Sequence, residues 1–271
     1  MRNFCSIIFL IISAYVQRQD LKYSDQEIKI KLDSIKAEGD LLYSLENASW
    51  HSNDIARNNS EIKDLISIYL TYRSMDAVKT VFLDRSGKQV IAEYTFLNNS
   101  KIPNSEDLTP RNLNALEKDL KNVREKLLPQ LEDPKYEVGV PQGFSLNVIT
   151  IPFGQNFKTY LIPGTAKSGI IPFGNDYLFV TDKNGKILKN IKFHSRLIPT
   201  ESLDDPDKTM VMATHSHLAT TPFISATDIC TFKLYALFIN LDLFSVYSPA
   251  LKIYFEYSLK EDSLKARTNL E

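Results

Sequence analysis

The chain has 271 residues, 43% of them hydrophobic and 24% charged, which excludes a disordered or fibrous protein and allows one large domain or two small ones. Its 32 Lys and Arg residues against 33 Asp and Glu leave a net charge of -1 with no basic stripe, so no nucleic-acid partner is expected.

At the N-terminus, Arg2 precedes the apolar run Phe4 to Val16, and polar Gln17 to Asp20 follow. The run is too short for a membrane span, which needs roughly 20 residues, but it fits a secretion signal. The reading is a signal peptide over 1–19, no membrane span after cleavage, and an exported chain that is periplasmic, cell-surface or secreted. Of the two cysteines only Cys230 lies beyond that segment, so the mature chain forms no internal disulfide and must rely on its core.

Residues 20–133 read as a helical and hairpin region. Ser24 with Glu27 forms a capping box, and Ile28, Leu32, Ile35, Leu42 and Leu45 follow at helical spacing, with Gly39 a weak point. The spacing of Ile62, Leu65, Ile66 and Tyr69 predicts a second helix over 60–73, and Trp50 between the two reads as a buried anchor. Val78 to Leu83 and Gln89 to Phe96 are strands joined by the turn Asp84-Arg85-Ser86-Gly87. Thr109 with Pro110 predicts the start of a third helix whose stripe is Leu113, Leu116, Leu120, Val123 and Leu127.

Residues 134–271 read as a β-rich domain. Strand-like runs from Phe144 to Ile198 are punctuated by Pro and Gly, with a hairpin turn at Asp182-Lys183-Asn184-Gly185. Met210 to Ala213 is a short strand, Asp228 to Asn240 a mostly apolar helix, and Leu243 to Tyr247 and Lys252 to Tyr257 two more strands before a charged tail. The fold class is therefore α+β: N-terminal helices with a β-hairpin, then a mixed sheet with a helix after the His-x-His strand.

The segment HSHLATTPFISATD carries the chemistry. On an extended chain His215 and His217 face the same side and can converge on one cation. Asp228, at the start of a helix, is a further ligand, and two His with one Asp leave a fourth tetrahedral position open. The bland alternatives are Asp228 or Thr227 as a helix cap and Ser225 in a turn. His194 reads as a residue at a strand end, with joining the metal as its alternative, Cys230 as a core thiol rather than a fourth ligand, and the Gly174-Asn175-Asp176 turn lacks the pattern of a phosphate loop.

His-x-His, ten residues and Asp, with Ser three before the Asp, resembles the JAMM motif of the JAB/MPN metallopeptidases. The resemblance covers roughly residues 144–258. It implies Zn2+ held by His215, His217 and Asp228, with Ser225 steadying an oxyanion, in a zinc-dependent peptidase or amidase. The chain departs from the family at Leu218, where a proline is usual, and in having no Glu between Val138 and Pro199 to serve as general base; Glu137 is the nearest upstream. The other expectation is a non-catalytic cell-envelope or partner-binding protein with a degenerate site and an unknown protein or peptide partner. As a whole the chain also resembles exported proteins of Bacteroidetes-type bacteria, a likeness that implies no activity.

Overall fold

The computed structural model describes residues 23–203, 205 and 208–269. The apolar run Phe4 to Val16, with its reading as a secretion signal, lies outside the described residues. Among them, no helix is long and apolar enough to cross a membrane.

The chain opens with helix α1 (Asp25–Asn58), started by the expected capping box, in which Ser24 and Glu27 bond each other's backbone N–H. The helix runs unbroken through Gly39 and through Trp50, whose ring packs edge-on against Tyr235 and whose Nε1 donates to buried Glu46 at 2.7 Å. The helix expected over 60–73 is a turn followed by strand β1 (Ile66–Ser74). Leu70 and Tyr72 are buried two residues apart, and pairing with β2 (Ala77–Asp84) satisfies the backbone; that period of two outweighs the helical spacing of Ile62, Leu65 and Ile66.

β3 (Gln89–Phe96) completes the expected hairpin with β2, and Gly87 supplies the positive φ of its turn. The short strands β4 (Ser105–Asp107) and β5 (Arg111–Asn112) both pair with β3. Helix α2 (Ala115–Leu127) starts later than Thr109-Pro110 predicts. Its cap is Asn114, reciprocated by Glu117, because the intervening residues are drawn into the sheet as β5. Leu120 and Val123 then cover one face of the sheet with Leu70, Val81 and Val90, while Ala48 and Ala56 of α1 cover Phe82, Tyr94 and Phe96 on the other.

A second antiparallel sheet has the order β10-β9-β7-β6, from β6 (Ser145–Phe153), β7 (Asn156–Gly164), β9 (Tyr177–Thr181) and β10 (Ile187–Lys192). β8 (Ile170–Gly174) and β11 (Leu197–Glu201) form a separate antiparallel ribbon. The last sheet has the order β12-β13-β14-β15. β12 (Met212–Ser216) lies parallel to β13 (Leu243–Ser248), and helix α3 (Ala226–Tyr235) makes the crossover between them. The expected charged tail contains one further strand, β15 (Ser263–Arg267), antiparallel to β14 (Ile253–Ser258).

α3 is buried on nearly every side. It packs against α1 where Gly39 lies so close that an added Cβ would come within 2.7 Å of the Ile229 Cβ. One core joins Leu32, Leu42 and Leu45 of α1 to Phe173, Ile229, Phe232, Phe244 and Phe255. The architecture is α+β as read from the sequence, with the His-x-His strand and its following helix at the centre.

Candidate metal centre

β12 ends at Ser216, but the ladder continues for one residue, since the His217 N–H donates to Tyr247 O at 3.0 Å. His215 and His217 therefore project from the same face, with their rings parallel to within 2° and their centroids 5.4 Å apart. Phe173 and Phe244 flank the His215 ring at 5.4 and 5.1 Å between centroids, so it stands against an apolar wall.

Asp228 sits in the first turn of α3, where Ser225 is the N-cap. The Ser225 Oγ accepts from the Asp228 N–H at 3.0 Å, and the Ser225 N–H donates to Asp228 Oδ2 at 2.9 Å. The Ser225 hydroxyl donates to Asp228 Oδ2 at 2.7 Å, and its Oγ also lies 2.7 Å from Thr227 Oγ1. Ser225 thus acts on the carboxylate of Asp228 and holds its direction.

A fourth donor completes the group. His194, two residues past β10, lies with its ring nearly perpendicular to the other two. Its Nε2 is 2.8 Å from His217 Nε2 and 3.1 Å from His215 Nε2. Asp228 closes the set: Oδ2 is 3.0 Å from His217 Nε2, and Oδ1 is 3.5 Å from His215 Nε2 and 3.6 Å from His194 Nε2. All four donors lie within 4.8 Å of one another. Tetrahedral ligands at about 2.0–2.1 Å from zinc are about 3.3 Å apart, so these separations bracket what one ion needs.

The outer contacts hold the Nδ1 atoms of His217 and His194, leaving their Nε2 atoms facing inward. The His217 Nδ1 lies 3.1 Å from Thr221 O, a carbonyl that can only accept, so Nδ1–H donates there, and in the neutral ring that a metal ligand requires Nε2 carries the lone pair. His194 Nδ1 lies 2.6 Å from Asp176 Oδ1, the carboxylate–imidazole arrangement that fixes a ligand's tautomer. The other oxygen of Asp176 accepts from Thr227 Oγ1, which ties the His194 support to the first turn of α3. The Thr221 hydroxyl donates to Phe193 O at 3.2 Å, fastening the loop after His217 to the segment that carries His194.

These groups are buried, the four side chains being at most 4% exposed. Burial depresses the His194 pKa, but the Asp176 and Asp228 carboxylates outweigh it and raise the value to about 9. Burial dominates at His215, which is lowered to about 4. For Asp228 burial acts upward, and the surrounding imidazoles of His194 and His217 nonetheless hold it well below the usual carboxylate range. A proton on His194 Nε2 can serve one neighbouring lone pair well. Among the described residues, Asp228 Oδ1 still has no hydrogen-bond donor although it is buried. A dication satisfies all four donors and that oxygen together.

Sequence reasoning thus names three of the four candidate ligands, and the structure brings those three together. It places His194 at a strand end and gives Asp176 no role. The signal lay in the register of the hairpin around Asp182 to Gly185. Tyr177 pairs with Lys192, and the Phe193 N–H donates to Asp176 O at 3.1 Å, so Asp176 and His194 meet just beyond the paired ends. Cys230 is a fully buried core residue of α3 and lies outside the cluster. Glu137, the nearest upstream Glu, pairs with Lys192 at 3.0 Å and is largely exposed.

Comparison with known proteins adds no relative: no family model matches the chain, and no curated protein or solved structure matches it.

Proposed function

We propose that this chain is an exported metal-binding protein whose four-donor site holds one transition-metal ion, Zn2+ first, in a closed and non-catalytic coordination. The observation that carries this reading is the convergence of three imidazole Nε2 atoms on the buried Asp228 carboxylate, whose Oδ1 has no hydrogen-bond partner. Three nitrogens and one oxygen at tetrahedral spacing suit zinc, whereas calcium and magnesium require six or more oxygens, water included. The ion would act as a clasp, because His194 belongs to the β10-β9-β7-β6 sheet side while the other donors belong to the β12–α3–β13 unit. Export rests on Arg2 and the apolar run Phe4 to Val16. At the cell envelope the chain would serve partner binding, with a protein or peptide as partner.

A zinc-dependent peptidase or amidase of JAMM type is the second reading. It is favoured by the way His215, His217 and Asp228 arise, in motif order, from one strand–helix–strand unit. Against it stand the occupation of the fourth vertex by His194 and the engagement of the Ser225 hydroxyl with Asp228 and Thr227.

Metal content separates binding from mere likeness. The purified protein, supplied with zinc and dialysed, should retain about one zinc per chain, and a His215→Ala/His217→Ala variant should retain essentially none. A folded parent that keeps no metal would overturn the proposal.

A further inference from the structure

Three of the donors are held from within the strand–helix–strand unit alone. His215 and His217 are fixed by pairing of β12 with β13, His217 additionally by Thr221 O, and Asp228 by Ser225. His194 alone reaches the cluster from another sheet. It stands at the bend between β10 and β11, next to the exposed residues Ser195 and Arg196. Its Nε2 lies 2.8 and 3.1 Å from the other two Nε2 atoms, at the vertex that a three-ligand site would leave open.

The support behind His194 does not depend on His194 either. Asp176 is 2% exposed and is anchored to Thr227 through Oδ2, while Oδ1 points at the imidazole. With the ring removed, the α3 contacts of Asp176, Ser225 and Asp228 would all persist. The remaining space would be bounded by two imidazoles and a carboxylate facing inward.

We propose that His194 is a self-supplied cap on a three-ligand metal site, occupying the one coordination position at which a monodentate nitrogen or oxygen donor from outside could bind. This rests on the metal-binding reading above. It accounts for two features together: the likeness of His215, His217 and Asp228 to an open hydrolytic set, and the closure seen here. His194 is a positioning and occluding residue, and the ion is retained by the other three.

The test uses the full chain loaded with Co2+, whose visible absorption reports coordination number, in the parent and in a His194→Ala variant. A His194→Asn variant, whose amide N–H can still reach Asp176, provides a second version should the alanine variant fold poorly. The expected result is a parent spectrum that imidazole leaves unchanged. The variant should keep one cobalt per chain, bound more weakly than in the parent, and take up one imidazole, which restores the parent spectrum. If a folded variant loses cobalt altogether, or holds cobalt but takes up no imidazole, the cap is overturned while the four-ligand reading stands. If neither variant folds with metal supplied, the three ligands are not self-sufficient and the cap is likewise overturned. If the parent binds no cobalt and no zinc, the metal-binding reading itself fails.

Discussion

Asp176 shows how one side chain can govern a site it does not enter. One oxygen lies 2.6 Å from His194 Nδ1 and the other receives the Thr227 hydroxyl, so it orients a donor from one sheet and the first turn of the helix carrying another. Outer partners of this kind are typically worth about 10–100-fold in metal affinity. Asp176→Asn should therefore weaken zinc by that factor in a chelator competition while leaving far-UV circular dichroism unchanged; unaltered affinity would show that His194 needs no orientation. A second residue, Glu46, lies outside the cluster and tests the electrostatics of the interior. Burial raises its carboxyl to about 7, against the Trp50 donor and the Arg124 charge, from an ordinary 4.5. The folded protein then binds more protons than the unfolded chain between those values, so the contribution of Glu46 to stability is full below about 4.5 and is lost as pH rises through about 7. Glu46→Gln should flatten that decline, with a gain on the order of 3 kcal/mol at pH 8 relative to the parent and little change at pH 4.5, read from urea midpoints. An identical pH profile in both proteins would contradict this.

Among the elements, the crossing of α1 over α3 is the contact most sensitive to a single atom. Gly→Ala inside a helix ordinarily gains about 1 kcal/mol, but here the new Cβ would fall 2.7 Å from Ile229 Cβ and 3.1 Å from Ala226 O. Overpacking of that kind costs about 1–3 kcal/mol, so the balance is a net loss. Gly39→Ala should lower the urea midpoint and, by pushing on the turn that holds Asp228, weaken zinc; a more stable variant would show that the helices can part freely. The same elements show what a sequence conveys. Capping at Ser24, the turns at Gly87 and Gly185 and the stripe of α2 are local signals, and they hold. The strand at 66–74 was hidden because Ile62, Leu65 and Ile66 fall at helical spacing, and only pairing with β2 decides in favour of extension. Asn114 displaced Thr109 as a cap because β5 claims the residues between them. β15 was hidden by its charge, as an exposed edge strand needs no apolar face. The site divides likewise: His215, His217 and Asp228 are close in the chain and readable, whereas His194 and Asp176 join them through the register of β9 and β10.

At the scale of the whole molecule, the cluster sits where the apolar core and the polar network meet. Phe173 of β8 stacks on Phe244 of β13 at 4.4 Å between centroids, so apolar packing already brings these parts together beside the His215 ring. A bound ion would add a second, chemically specific tie at the same junction, with its ligand charges compensated in a buried setting. The role proposed for the four donors is therefore coordination rather than any catalytic step. The measurement that reaches this most directly is zinc K-edge X-ray absorption on the zinc-loaded parent protein. The prediction is four nitrogen or oxygen neighbours at about 2.0–2.1 Å, with outer scattering that counts three imidazoles and no sulfur. A six-coordinate oxygen shell, a sulfur neighbour or only one imidazole would contradict the four-donor centre.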